Sequence, residues 1–138
     1  MSRRTAPPTG WPPPDTAVLN GVPVQLGPLC EEIADRYFER FPEDLDRYGN
    51  EVARAWEIHD TRHVLNWAVA DVEGRADLNA EITWLARVLE ARNFPLEHLA
   101  TNLELTADVT RERIQRAGRV AERLQGAADL IRRTPSFQ

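Results

Sequence analysis

The stretch "ARAWEIHDTRHVLNWAVADV", residues 53–72, decides how the rest of the chain is read. At about 100° per residue, Val52, Trp56, His59, His63, Trp67 and Ala70 fall on one face of a helix, while Ile58, Leu65, Val69 and Val72 form a second stripe. Two apolar stripes predict a largely buried helix over 51–72, with both histidines facing the interior. A core helix of that length, in a chain of 138 residues, predicts a single all-α domain.

Working outward, the same periodicity recurs on both sides. Towards the N-terminus, Pro28 opens a helix presenting Leu29, Ile33, Tyr37 and Phe41, and Phe41-Pro42 ends it. "PEDLDRYG" supports a short helical turn closed by Gly49, after which Asn50 can cap the central helix. Towards the C-terminus, "VEGRAD" is a turn, and Asp77 or Asn79 caps a helix through Arg92 with a stripe of Leu78, Ile82, Leu85 and Leu89. "RNFP" stops it. From Leu96 to about Arg133 the apolar steps of three and four continue, with a doubled step of four around Ile114, as in a heptad stutter. This predicts a long C-terminal helix, or two with a bend, whose weak points are Gly118 and Gly126. Before Pro28, "APPTGWPPPDT" and "NGVPVQLGP" exclude helix and lack strand alternation, so residues 1–27 are expected as a proline-rich extended arm on a helical domain spanning 28–138. Trp11, between prolines, packs on that domain, stays disordered, or docks in a partner's groove.

Composition narrows the function. Lysine and arginine total 17 against 22 acids, a net charge of −5 that opposes sequence-independent binding to nucleic acid. Neither a signal-peptide core nor a run of about 18 apolar residues is present, which predicts no membrane contact and a cytoplasmic location. The single cysteine, Cys30, excludes an internal disulfide framework and multi-cysteine metal sites, and is expected to be an unreactive thiol.

His59 and His63, at i and i+4, could both reach one metal or offer a ligand to haem iron. "HDTRH" lacks the glutamate of the "HExxH" hydrolases, with Asp60 in its place. The Glu-x-x-His pairs of di-iron bundles are absent as well. His98 points away from Leu96, Leu99 and Leu103 and is expected in solvent. The favoured reading gives both central histidines a packing role beside an apolar pocket lined by Trp56, His59, His63, Trp67 and Trp84. The later half of the C-terminal segment, with Ile114, Ala117, Ala121, Leu124, Ala128 and Ile131 flanked by arginines, reads as a helix–helix seam for a homodimer or partner protein.

With these helices placed, residues 51–106 resemble the globin superfamily, in particular its phycobiliprotein-like branch and the haem-free sensor domains of bacterial stress-signalling proteins. The resemblance rests on "ARAWEIHDTRHVLNWAVADV", in which Asp60, Leu65 and Trp67 match an aspartate, a leucine and an aromatic of the family's central helix. "WLARVLEARNFP" then follows at nearly the family spacing. Where that branch attaches a bilin through cysteine this chain has Glu57, and the helix that supplies the proximal histidine of true globins has no histidine. The resemblance therefore implies a globin-like bundle of about five helices, stripped of its cofactor and used for regulation or assembly. The expected function is a non-enzymatic regulatory or protein-interaction domain that senses a small hydrophobic ligand. The alternatives are a haem- or metal-binding sensor using His59 and His63, and a small cofactor-free enzyme with His63 or Asp60 as its acid–base group.

Overall fold

The structure, a computed structural model, describes residues 12–138. It is helical apart from one hairpin: β1 (Thr16–Leu19) and β2 (Val22–Gln25), then α1 (Leu26–Arg40), α2 (Pro42–Tyr48), α3 (Asn50–Val72), α4 (Leu78–Ala91), α5 (Leu96–Arg113) and α6 (Gly118–Arg133). No helix among the described residues is long and apolar enough to cross a membrane.

Three features differ from the sequence reading, each for a local reason. Residues 16–25, expected as arm, form an antiparallel hairpin in which Leu19 pairs with Val22. Asn20 and Gly21, at φ 53° and 78°, supply the two left-handed residues of a tight turn that matches strand twist. Ala17 and Leu19 point inward and join the core. Arg62 of α3 pins the preceding segment, donating to the carbonyls of Pro13 at 2.7 Å and Pro14 at 3.3 Å and pairing with Asp15. Residues 1–11, with Trp11, lie outside the described residues.

The second difference is at the helix starts. α1 begins at Leu26, whose N–H bonds to the carbonyl of Asp15 at 2.8 Å, so Pro28 sits inside the first turn, where its missing N–H costs no helical bond. Asn50 is the first residue of α3, and Gly49, at φ 86°, turns the chain between α2 and α3. Asp77 does cap α4, accepting from the N–H of Ala80 at 3.1 Å.

The third is the C-terminal segment, which is two helices, one of the two expected forms, but joined by a reversal instead of a bend. Ile114 is extended at the end of α5 and Arg116 stands at φ 60°, so the chain reverses before Gly118 and α6 runs back along α5. Arg132, near the end of α6, accordingly reaches Glu97 at the start of α5 and Glu104 farther on, with closest approaches of 2.7 and 2.6 Å. Ala117, Ala121, Leu124, Ala128 and Ile131 are buried inside this antiparallel pair and against α3 and α4, and Ile114 is partly buried on the same core. The apolar periodicity of this segment therefore fills the chain's own interior, and five of these six side chains, all but the partly buried Ile114, are turned away from any partner. Among the described residues there are six helices rather than about five.

The core follows from these faces. Leu65 and Val69 of α3, Leu78 and Ile82 of α4, and Leu103 of α5 meet Leu124 of α6, each at most 1% exposed. The tail closes over α4: Phe137 is buried, its N–H bonds to Glu90 at 2.9 Å, and its carbonyl accepts from Arg87 at 2.9 Å. Cys30 is fully buried on α1, and that burial pushes its thiol up to about 12. An aromatic disulfide reagent at about pH 8 is expected to leave the folded protein unmodified and to react with one thiol per chain once denaturant is added.

Candidate functional site

On α3 the deeply buried side chains are Ala53, Thr61, Val64, Leu65, Ala68, Val69 and Ala70. The face carrying the histidines is turned aside from that core, which corrects the expectation that they point inward. Trp56, His59, His63 and Trp67 are half-buried and form a continuous ladder of rings, with successive centroids 5.3, 4.9 and 5.7 Å apart. His59 and His63 meet edge to face at 73°, and His63 stacks on Trp67 at 27°.

The ladder is one wall of a groove. α4 supplies the other through Trp84, Leu85, Val88 and Leu89, with Arg92 just past its end, and the space between is ≈ 340 Å³. The helical spacing of 56, 59, 60, 63 and 67 on α3 and of 84, 85, 88, 89 and 92 on α4 sets the two walls along each other. Trp84 is 55% exposed and so leaves the upper rim open. The five side chains assigned to a pocket from sequence thus lie around one groove.

His59 Nδ1 lies 3.1 Å from Asp60 Oδ1, so that carboxylate orients the ring. For His63, burial and the neighbouring His59 hold the imidazole below its ordinary pKa. Neutral imidazole is therefore the folded state's preferred form. As pH falls from neutrality, the unfolded chain takes up this proton first: stability is complete above the ordinary value of 6.5 and declines as pH falls through the folded-state value. Glu97 and Glu104, held below 4.5 by Arg132, act only in a more acidic window. Melting temperature is expected to fall slightly below about pH 6.5 in the native protein. His63→Gln should flatten that part of the profile; an unchanged slope would mean that His63 titrates as it does unfolded.

Behind the groove lies a smaller chamber of ≈ 60 Å³ that shares Trp56, Asp60, Leu85 and Leu89 with it. Two polar clusters line this chamber. In the first, Tyr37 donates its hydroxyl to Asp44 Oδ2 at 2.5 Å, and His98 Nδ1 approaches the same oxygen at 3.0 Å. His98 also stacks on Phe41 at 3.7 Å. The expectation of a solvated His98 fails because α2 folds over that side of α5 and brings Asp44 to it. In the second cluster, Glu57 accepts from Thr61 at 3.0 Å and from Asn102 at 2.5 Å, and Asn102 also donates to Thr61 at 3.2 Å. Burial and the bond to Asp44 raise the Tyr37 pKa, so its hydroxyl stays protonated.

Comparison with protein-family models, curated proteins and solved structures finds no match. The chemistry has to be read from this geometry alone. None of the chamber residues Tyr37, Asp44, Glu57, Thr61, His98 and Asn102 stood out as a site in sequence. Thr61 and Asn102 did carry a signal, being polar side chains at positions that helical spacing turns inward. Among the described residues, no group of three or more His, Cys, Asp or Glu side chains is placed to hold a metal ion. His59 and His63 are a pair, with Asp60 already against one of them.

Proposed function

We propose that this chain is a non-enzymatic regulatory domain that binds a small planar apolar ligand in the groove between α3 and α4. One observation carries the reading: four half-buried rings on α3 face the exposed Trp84 and the aliphatic side chains of α4 across open space of ≈ 340 Å³. Packed domains fill such volume, and ligand pockets run from about 300 to 1,000 Å³, so a volume near the lower limit suits a ligand of one or two fused rings. Ring faces recognise ring faces, and a rim that includes tryptophan keeps apolar surface in water until something covers it.

The resemblance of residues 51–106 to haem-free sensor globins is in keeping with this reading, and we take the six helices as a globin-like scaffold used in that way. Regulation also needs a listener, either a second copy or another protein. Strictly monomeric behaviour with no partner captured would count against that half of the proposal. The haem- or metal-sensor alternative draws support from the adjacency of His59 and His63 at 4.9 Å between ring centroids. It expects a Soret band or stoichiometric metal in the purified protein, lost in the His59→Ala, His63→Ala double variant. In the groove reading both rings are walls, which leaves no acid–base task for His63 or Asp60.

Titration with 2-naphthol, followed through the indole N–H signals in nitrogen-edited NMR, tests the proposal. Trp56, Trp67 and Trp84 should shift together. Trp84→Ala and His63→Ala should each weaken binding by roughly threefold to tenfold, the value of one aromatic contact. Shifts scattered over the surface, or none, would refute a groove site.

A further inference from the structure

The groove and the chamber lie on either side of the same four side chains, Trp56, Asp60, Leu85 and Leu89, so a ligand that passes between these side chains reaches from one space into the other. The two spaces differ in chemistry. The groove is mostly ring and aliphatic surface, with the Arg92 guanidinium in its lining, whereas the chamber joins aromatic walls to carboxylates. We propose that groove and chamber are one binding site for a small aromatic amine, with the ring between α3 and α4 and the ammonium group inside the chamber. This rests on the groove reading and adds the class of ligand.

Hydrogen-bonding capacity selects the amine. The hydroxyl protons of Tyr37 and Thr61 are already given to Asp44 and Glu57, and the Asn102 amide serves Glu57 and Thr61. The bonds of these three donors thus all end on the chamber's own acceptors. What remains is accepting capacity: both bonds to Asp44 end on Oδ2, and its other carboxylate oxygen, on a residue only 3% exposed, belongs to the chamber lining. A carboxylate has about four lone-pair sites, and two are used. A ligand that bonds to Asp44 has to bring donor hydrogens, and an ammonium brings three of them together with a charge opposite to the carboxylate's. Lining residues Phe38, Tyr48 and Phe94 add ring faces that attract a cation, and no described lining residue is Lys or Arg. An anionic head would meet Asp44, Glu57 and Asp60 instead. Size agrees, since ≈ 60 Å³ of space for water-sized groups accepts about four of them, enough for an ammonium and a carbon or two.

Three probes with one ring separate the possibilities: 2-phenylethylamine, 2-phenylethanol and 3-phenylpropionate, titrated into the full chain by the same NMR measurement, with the Asn102 side-chain amide as reporter of the chamber. The amine should bind tightest, roughly tenfold to a hundredfold above the carboxylate, and should move both the tryptophan and Asn102 signals. Asp44→Asn and Glu57→Gln should each reduce amine binding about tenfold and leave 2-phenylethanol unchanged. The wild-type series decides the matter even if a variant fails to fold. Equal binding of all three, or tryptophan shifts without any at Asn102, would overturn the amine proposal and leave the groove reading standing. No binding by any of the three, with 2-naphthol also inert, would sink both.

Discussion

Leu124→Ala is expected to lower the free energy of unfolding by about 3 kcal/mol and the melting temperature by about 10 °C, with no dependence on protein concentration. Leu124 is fully buried on α6, amid Leu103 on α5, Leu65 on α3 and the alanines of its own helix. Removing its three outer carbons leaves a hole that a tightly packed helical pair relaxes into only in part. The absence of a concentration effect distinguishes this from the dimer seam that the same residue suggests in sequence. Had Leu124 been covered by a second copy, its loss would weaken association, and the melting temperature would rise with protein concentration. Melting curves over a hundredfold range of concentration, read by circular dichroism, check both parts. A loss under about 1 kcal/mol, or a loss of concentration dependence on substitution of Leu124 alone, would mean that the α5–α6 pairing is not what buries this seam.

The contrast at Leu124 explains which parts of the fold were legible. Helical periodicity identifies the inward face of α6 correctly, because burial requires the same spacing whatever lies on the other side. What covers that face depends on three residues, Ile114, Gln115 and Arg116, where the chain reverses; Gly118 just beyond them marks a weak point, but nothing in the three marks a reversal instead of a bend. A non-glycine residue in the left-handed region is uncommon enough that sequence pattern does not predict it. The hairpin is the opposite case. Asn20-Gly21 is the strongest short-range hairpin signal, and Ala17 and Leu19 alternate inward, but Pro23 and the surrounding prolines masked it.

The side chains around the groove could be grouped from sequence because they come at helical spacing from two consecutive helices, α3 and α4. The chamber was not, since its polar groups come from α1, α2, α3 and α5, and their meeting depends on where a seven-residue helix folds back. His59 and His63 show the limit within a single element. Their shared face was correct, yet α3 meets the core chiefly with the other side, around Thr61, Val64, Leu65 and Ala68.

That seven-residue helix makes the second large effect specific. Asp44→Ala is expected to cost about 3 kcal/mol, more than any other single substitution on α2. A helix this short does not hold itself, so α2 is kept in place by what it contacts. Asp44 points inward, 3% exposed, and gathers the Tyr37 hydroxyl and the His98 ring on one oxygen, with Phe41 stacked over the histidine. Alanine leaves two polar groups facing a site from which water is largely excluded, and each buried donor without an acceptor costs about 1–3 kcal/mol. Tyr37→Phe, which removes the donor and keeps the ring, should cost only about 1 kcal/mol. Because the two changes break one bond, the double variant should be about 1 kcal/mol more stable than the sum of the singles predicts. Urea unfolding of the four proteins measures that coupling. Strict additivity would show that the Tyr37–Asp44 bond contributes nothing, and that α2 is held by the His98 contact to Asp44 and by its aromatic contacts.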